Sequence, residues 1–299
     1  MIKNISLLLT LLVMLCITTN ASSYDLEING IYYVYHSHYE VNIGMVRDGL
    51  EVTFGETPYA GDIVIPSSVT YGDTEYPVVS IGICAFTSNK QLHSVKLPET
   101  IISIENSAFL ECTSIESIEI PNSVVSIKQK AFWGCDGLKS ITIGNAVREV
   151  GEGAFTNCKA LEKVIIHSIE NWCQIVWARE YSTSTIFYCS QPLHYAHRLY
   201  LENNEIRNLT IPTSIKAINY HAFYGCQSLE SVTIQNSLTA DKTIGEEAFS
   251  GCNNIVSFDM GESVVELGRR CFSNCIRLQR IIIPKSVVSI DEGAFSGCI

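Results

Sequence analysis

The sequence predicts a repeat solenoid, with short strands stacked coil upon coil into a parallel sheet. Three observations carry that expectation. A pair recurs at Ala85-Phe86, Ala108-Phe109, Ala131-Phe132, Ala154-Phe155, Ala222-Phe223, Ala248-Phe249 and Ala294-Phe295, with Cys271-Phe272 as the variant, mostly 23 residues apart. A cysteine follows the Phe by three in seven of these eight units. Each complete unit then carries apolar residues in alternation, such as Ile118 and Ile120 or Ile141 and Ile143, the period of a strand with one face inward. One strand and one return per unit cannot enclose a core alone, whereas stacked copies cover one another's open ends.

From the N-terminus, Lys3 precedes an apolar run from Ile5 to Ile17, followed by small Thr19 and Ala21. This reads as a secretory signal peptide over 1–21, cleaved after Ala21, because the run is shorter than the roughly 18 residues a spanning helix needs. The expected location is therefore secreted or cell-surface. The solenoid is expected over 63–299. Within it, Pro98, Pro121, Pro212 and Pro284 end four strands, where proline removes a donor. The chain returns through apolar pairs such as Val124 with Ile127 or Val287 with Ile290. Gly134, Gly137, Gly251 and Gly297 fall at predicted corners.

The period slips twice: 68 residues separate Ala154 from Ala222, and 26 separate Ala222 from Ala248. The longer gap contains a degenerate repeat at about 167–208, rich in aromatics: Trp172, Trp177, Tyr181, Phe187, Tyr188, Tyr195 and Tyr200. Either these side chains fill a turn that lacks the standard Ala-Phe, or they form an aromatic binding patch, for which Trp172, Trp177, Tyr181, Tyr188 and Tyr195 are the candidates. The sequence stops at Ile299, before the strand that would finish its last unit. An uncapped apolar end predicts end-to-end self-association, or marks a truncated chain.

The full pattern, apolar-x-x-apolar-x-apolar-Pro and then apolar-x-x-Ile-x-x-x-Ala-Phe-x-x-Cys, resembles the BspA-like (Treponema pallidum type) leucine-rich repeat over about Val64 to Cys298. The resemblance implies a leucine-rich-repeat β-solenoid or right-handed horseshoe. It also implies a short β-rich N-terminal cap, here 22–62, and a cell-surface role in adhesion to host matrix proteins or other cells. The Trp172-Cys173 pair and Leu199-Tyr200-Leu201 are similar to a variant unit within that family.

Acidic residues outnumber Lys plus Arg by 31 to 20, a net charge of -11 that repels nucleic acid and anionic lipid. The expected partners are proteins. No nucleophile elbow, zinc-protease, phosphate-loop or calcium-loop motif occurs, so neither an enzyme nor a cofactor is expected. The column Cys112, Cys135, Cys158, Cys226, Cys252, Cys275 and Cys298 reads as a buried thiol ladder. Stacked equivalent Cβ atoms lie about 4.8 Å apart, against about 3.8 Å in a disulfide, and a line of thiols does not converge on a metal. Cys173 and Cys189 enclose a loop that a disulfide would close. With His194 and His197 they also form a weak zinc-like string that lacks a tight Cys-x-x-Cys start.

On the outward strand face the alternation places Lys96, Glu119, Thr142, Ile165, Thr210, Thr233, Asp259 and Ile282 in one row, a candidate ligand face. The plainer reading is an ordinary solvated strand face. The functional expectation is a non-enzymatic protein-binding surface. A structural spacer of a surface layer is the alternative, and a hydrolase in the interrupted region, with Cys173 as nucleophile, is the third.

Overall fold

The computed structural model describes residues 24–40, 45–179, 190–239 and 241–298. The expected signal segment 1–21 lies outside them. The chain enters as an antiparallel ribbon in which Leu26–Ile28 pairs with Ile31–Glu40, which pairs with Met45–Thr53. The first reversal is Asn29-Gly30, at φ 53° and 75°, the left-handed pair that a two-residue hairpin with matching twist requires. The end of Met45–Thr53 then lies parallel to Thr74–Ile81. Here the ribbon passes its register to the coils.

From there the chain winds into a solenoid of about nine turns with parallel sheets. On the front, Gly61–Val64 pairs with Leu92–Lys96. Ser117–Glu119, Ser140–Ile143, Lys163–Ile166 and Leu199–Leu201 follow in one parallel ladder. On the return side, Thr74–Ile81, Ser103–Ile104, Ser126–Ile127, Glu149–Val150 and Val176–Trp177 form another. Beyond the interruption both layers resume. The front has Asn208–Ile211, Ser231–Ile234 and Ser257–Asp259, and the return side has Ala217–Ile218, Lys242–Ile244, Val264–Leu267 and Ser289–Ile290.

The Ala-Phe corner supplies a third line of hydrogen bonds. Phe86 donates to the Ala108 carbonyl at 2.8 Å, Phe109 to Ala131 at 2.7 Å and Phe132 to Ala154 at 2.8 Å. In every one of the eight units two residues turn left-handed, the one before the Ala-Phe pair and the one two after the Phe. Gly134 (φ 71°) meets this demand without strain, while Glu111 and Lys130 (both φ 56°) meet it with a side chain. Gly137 serves differently: a Cβ there would lie 2.1 Å from the Thr113 carbonyl oxygen of the preceding coil.

Inside the corner the phenylalanines stack. Centroids from Phe86 through Phe109 and Phe132 to Phe155 are 5.0, 5.1 and 5.4 Å apart, with planes within 9°. Phe223, Phe249, Phe272 and Phe295 repeat this at 5.1, 5.7 and 5.4 Å. Tyr59 starts the first column, 4.7 Å from Phe86. Its hydroxyl donates to the Thr53 carbonyl and accepts the Tyr32 N–H. The alanines beside the rings are buried, as is Cys271 in the same place, so closely spaced coils hold only small side chains there.

The interruption breaks both layers. Ser168 caps the helix Ile169–Gln174 by accepting the Asn171 N–H, and the helix buries Trp172 and Cys173. The Ala222 carbonyl, which elsewhere would accept a Phe N–H from the coil before, accepts Trp172 Nε1–H at 2.7 Å and Gln191 Nε2–H at 3.2 Å. Two side chains replace one backbone donor. On the front, Leu199–Leu201 folds back on Asn204–Glu205 in an antiparallel hairpin before the next parallel strand begins.

Candidate binding face

Because one strand face packs inward, alternate residues must face out. Lys96, Glu119, Thr210, Thr233, Asp259 and Ile282 are exposed, and Thr142 and Ile165 are half-buried. These eight do not form one continuous row. Glu119, Thr142 and Ile165 are in register and continue to Tyr200, which the alternation reading left out because its unit lacks Ala-Phe. Thr210, Thr233 and Asp259 form a second block. The hairpin stands between the blocks, and the segment carrying Ile282 makes no ladder with Ser257–Asp259 among the described residues.

Two grooves open on this face. One, of about 510 Å³, is lined by Lys96 and Glu119 with Pro98 and Pro121. The other, of about 820 Å³, crosses three coils and includes Thr233, Asp259 and Ile282. Beside it, the three extra residues of the 26-residue spacing sit in a loop whose tip, Leu238, is fully exposed. The strand after that loop buries Lys242, whose ammonium donates to the carbonyls of Pro212, Thr213 and Ile215. The sequence reading missed this cage, since only folding brings the carbonyls together.

The aromatic-patch expectation is corrected for its tryptophans. Trp172 and Trp177 are 1% and 2% exposed and meet edge-on at 5.1 Å, so they are core. Tyr195 is half-buried, its hydroxyl accepting the Asn157 N–H at 2.9 Å. Tyr181 and Tyr188 lie outside the described residues.

The column cysteines are free thiols, buried except for half-buried Cys298. Cys112, Cys135 and Cys158 donate to the carbonyls of Phe86, Phe109 and Phe132 in the preceding coils, at 2.9, 3.1 and 3.2 Å. Cys252, Cys275 and Cys298 do the same to Phe223, Phe249 and Phe272. Burial pushes the Cys112 and Cys275 thiols up to about 12 and that of Cys226 to about 11, so the thiolate is scarce and the column is chemically inert. Cys84 is disulfide-bonded.

Cys173 is a free buried thiol whose burial also raises its pKa, the opposite of what a nucleophile needs. Cys189 lies outside the described residues. His197 Nδ1 contacts the Gly225 carbonyl oxygen at 3.1 Å, and among the described residues no three His, Cys, Asp or Glu side chains are grouped to hold a metal. His221 Nε2 meets Glu247 Oε2 at 2.9 Å, and that hydrogen bond holds the Glu247 carboxyl below its ordinary range.

The model of the BspA type leucine rich repeat region matches residues 53–182 and 197–299, in six copies. The chain belongs to the BspA-type leucine-rich repeat family. The gap in the match falls within the interruption. Solved structures similar to this BspA-type chain include a leucine rich cell surface protein from Faecalibacterium prausnitzii, at 21% identity over 94% of this chain and 88% of that one, TM-score 0.37. The Treponema pallidum leucine rich repeat protein is 22% identical over 82% and 87%, TM-score 0.43. A Bacteroides ovatus leucine-rich repeat protein is 24% identical over 92% and 93%, TM-score 0.32. No curated protein matches the sequence. BspA-type repeats are typically non-enzymatic scaffolds, and leucine-rich repeat proteins generally bind proteins.

Proposed function

We propose that this chain is an exported, non-enzymatic binding protein that adheres to host matrix proteins or other cells through its front strand face. The observation that carries the reading is that both grooves lie on that face and are lined in part by its outward residues. A face repeated coil after coil offers many weak polar contacts in one register, so affinity grows with area and avidity without a deep pocket. Export rests on the signal-like segment 1–21, and among the described residues no helix is long and apolar enough to cross a membrane.

The test is binding of the chain to immobilised matrix proteins and to whole cells. Charge reversal of Glu119 and replacement of Thr210 and Thr233 by Glu, all exposed, should abolish capture without lowering Tm. Capture that survives all three changes rejects the front face, and absence of capture by every matrix protein and cell type favours a spacer.

A further inference from the structure

Some carboxylates on this protein pair with a cation one coil away. Glu116 meets Lys139 at 2.8 Å, Glu149 meets Lys128 at 2.6 Å, Glu230 meets Arg207 at 2.7 Å and Glu292 meets Arg269 at 3.6 Å. The larger front groove holds none of these pairs. Its carboxylates Asp259 and Glu262 and its one cation, Arg280, make no ion pair among the described residues. The same groove holds Val256 and Ile282, exposed by 48% and 68%, which the coil does not need on that face. Asp259 Oδ1 accepts the Gly261 N–H at 2.9 Å, but charge outside any ion pair and uncovered aliphatic surface still coincide in this groove.

The form of the groove narrows the occupant. It is open and crosses three coils, so a small molecule would keep much of its surface in water, whereas ligand pockets enclose most of their ligand. A polypeptide laid across the coils gains a contact at each one. Two carboxylates against one guanidinium favour a cationic side chain at the Asp259 and Glu262 end. Resting on the front-face reading, we propose that this groove takes an extended segment of a protein partner. That segment places Lys or Arg against Asp259 and Glu262 and a neighbouring aliphatic side chain against Val256 and Ile282.

The experiment uses the full chain and three fluorescent peptides in a Gly-Ser background, carrying Arg-Ile, Glu-Ile or Arg-Ser, read by anisotropy. Arg-Ile should bind best. The double variant Asp259→Asn, Glu262→Gln should weaken it about tenfold, with a smaller loss at higher salt, as for two partly exposed charge pairs. Ile282→Ser should remove the advantage of Arg-Ile over Arg-Ser. Equal binding of Glu-Ile, or Arg-Ile binding unmoved by the double variant, overturns the proposal. Loss on Glu119→Gln with no loss on the double variant overturns this groove while leaving the front face standing. Failure of the matrix-capture test, with Arg-Ile still dependent on Asp259, rejects the adhesion reading alone.

Discussion

Phe132 lies between Phe109 and Phe155, so its removal opens two interfaces at once. We expect Phe132→Ala to cost about 3–5 kcal/mol in urea unfolding, the range for deleting a fully buried aromatic ring. A change in the opposite direction is available one corner away. Glu111 holds φ 56°, a conformation costing a side chain roughly 1–2 kcal/mol that glycine adopts freely. Glu111→Gly should therefore stabilise by about 0.5–1 kcal/mol after the added freedom of the unfolded chain is counted, and an unchanged or lower Tm would contradict this. The Ala-Phe spacing announced where these corners stand. It did not announce their left-handed pairs, because side chains as different as Glu111, Gly134 and Asn157 occupy equivalent places and only backbone geometry unites them.

At the scale of the element, the interruption is the part least legible in sequence. Its aromatics were visible, but that Trp172 and Gln191 would substitute for a backbone donor at Ala222 depends on contacts between residues 31 and 50 positions apart. The helix Ile169–Gln174 has a recognisable start at Ser168, and the Asn29-Gly30 hairpin has the usual dipeptide, so both were readable signals left unused. The front face was legible from alternation, except that the hairpin divides it. The interruption also carries a pH dependence. Burial, followed by the charges of His197 and His221, lowers the His194 pKa below its ordinary 6.5. Between the lowered value and 6.5 the unfolded chain binds more protons, so this contribution is present above pH 6.5 and is lost as pH falls through the folded value. Glu247, also depressed, loses its contribution only below its ordinary 4.5. His194→Phe should keep the ring contacts and reduce the fall in Tm between about pH 7 and pH 5. An identical fall in the variant would place the titration elsewhere.

Across the whole molecule, the phenylalanine columns run without a break on each side of the interruption, and side-chain and backbone hydrogen bonds join the two halves. Asn219 adds to these by donating its backbone N–H to the Cys173 carbonyl and its Nδ2–H to the Gln174 carbonyl. In a chain whose coils touch only their neighbours, such a joint sets how far unfolding spreads. Weakening it with Trp172→Phe and Gln191→Ala should separate the halves into two denaturant transitions. The readout is direct, because Trp133, Trp172 and Trp177 are all the tryptophans and all precede residue 178. Trp133 and Trp177 fluorescence should then report the N-terminal half and diverge from far-UV circular dichroism. Coincident curves in that variant would show that the coupling lies outside these two side chains.

The near-identical spacing and tilt of Phe86, Phe109, Phe132 and Phe155 has a consequence for ancestry. When each step along the axis presents the same surface above and below, an in-frame duplication or loss of one 23-residue unit between Phe109 and Phe132 creates no new seam. Reach can then drift by recombination while both extremities stay as they were, which makes length the cheapest trait for selection to adjust.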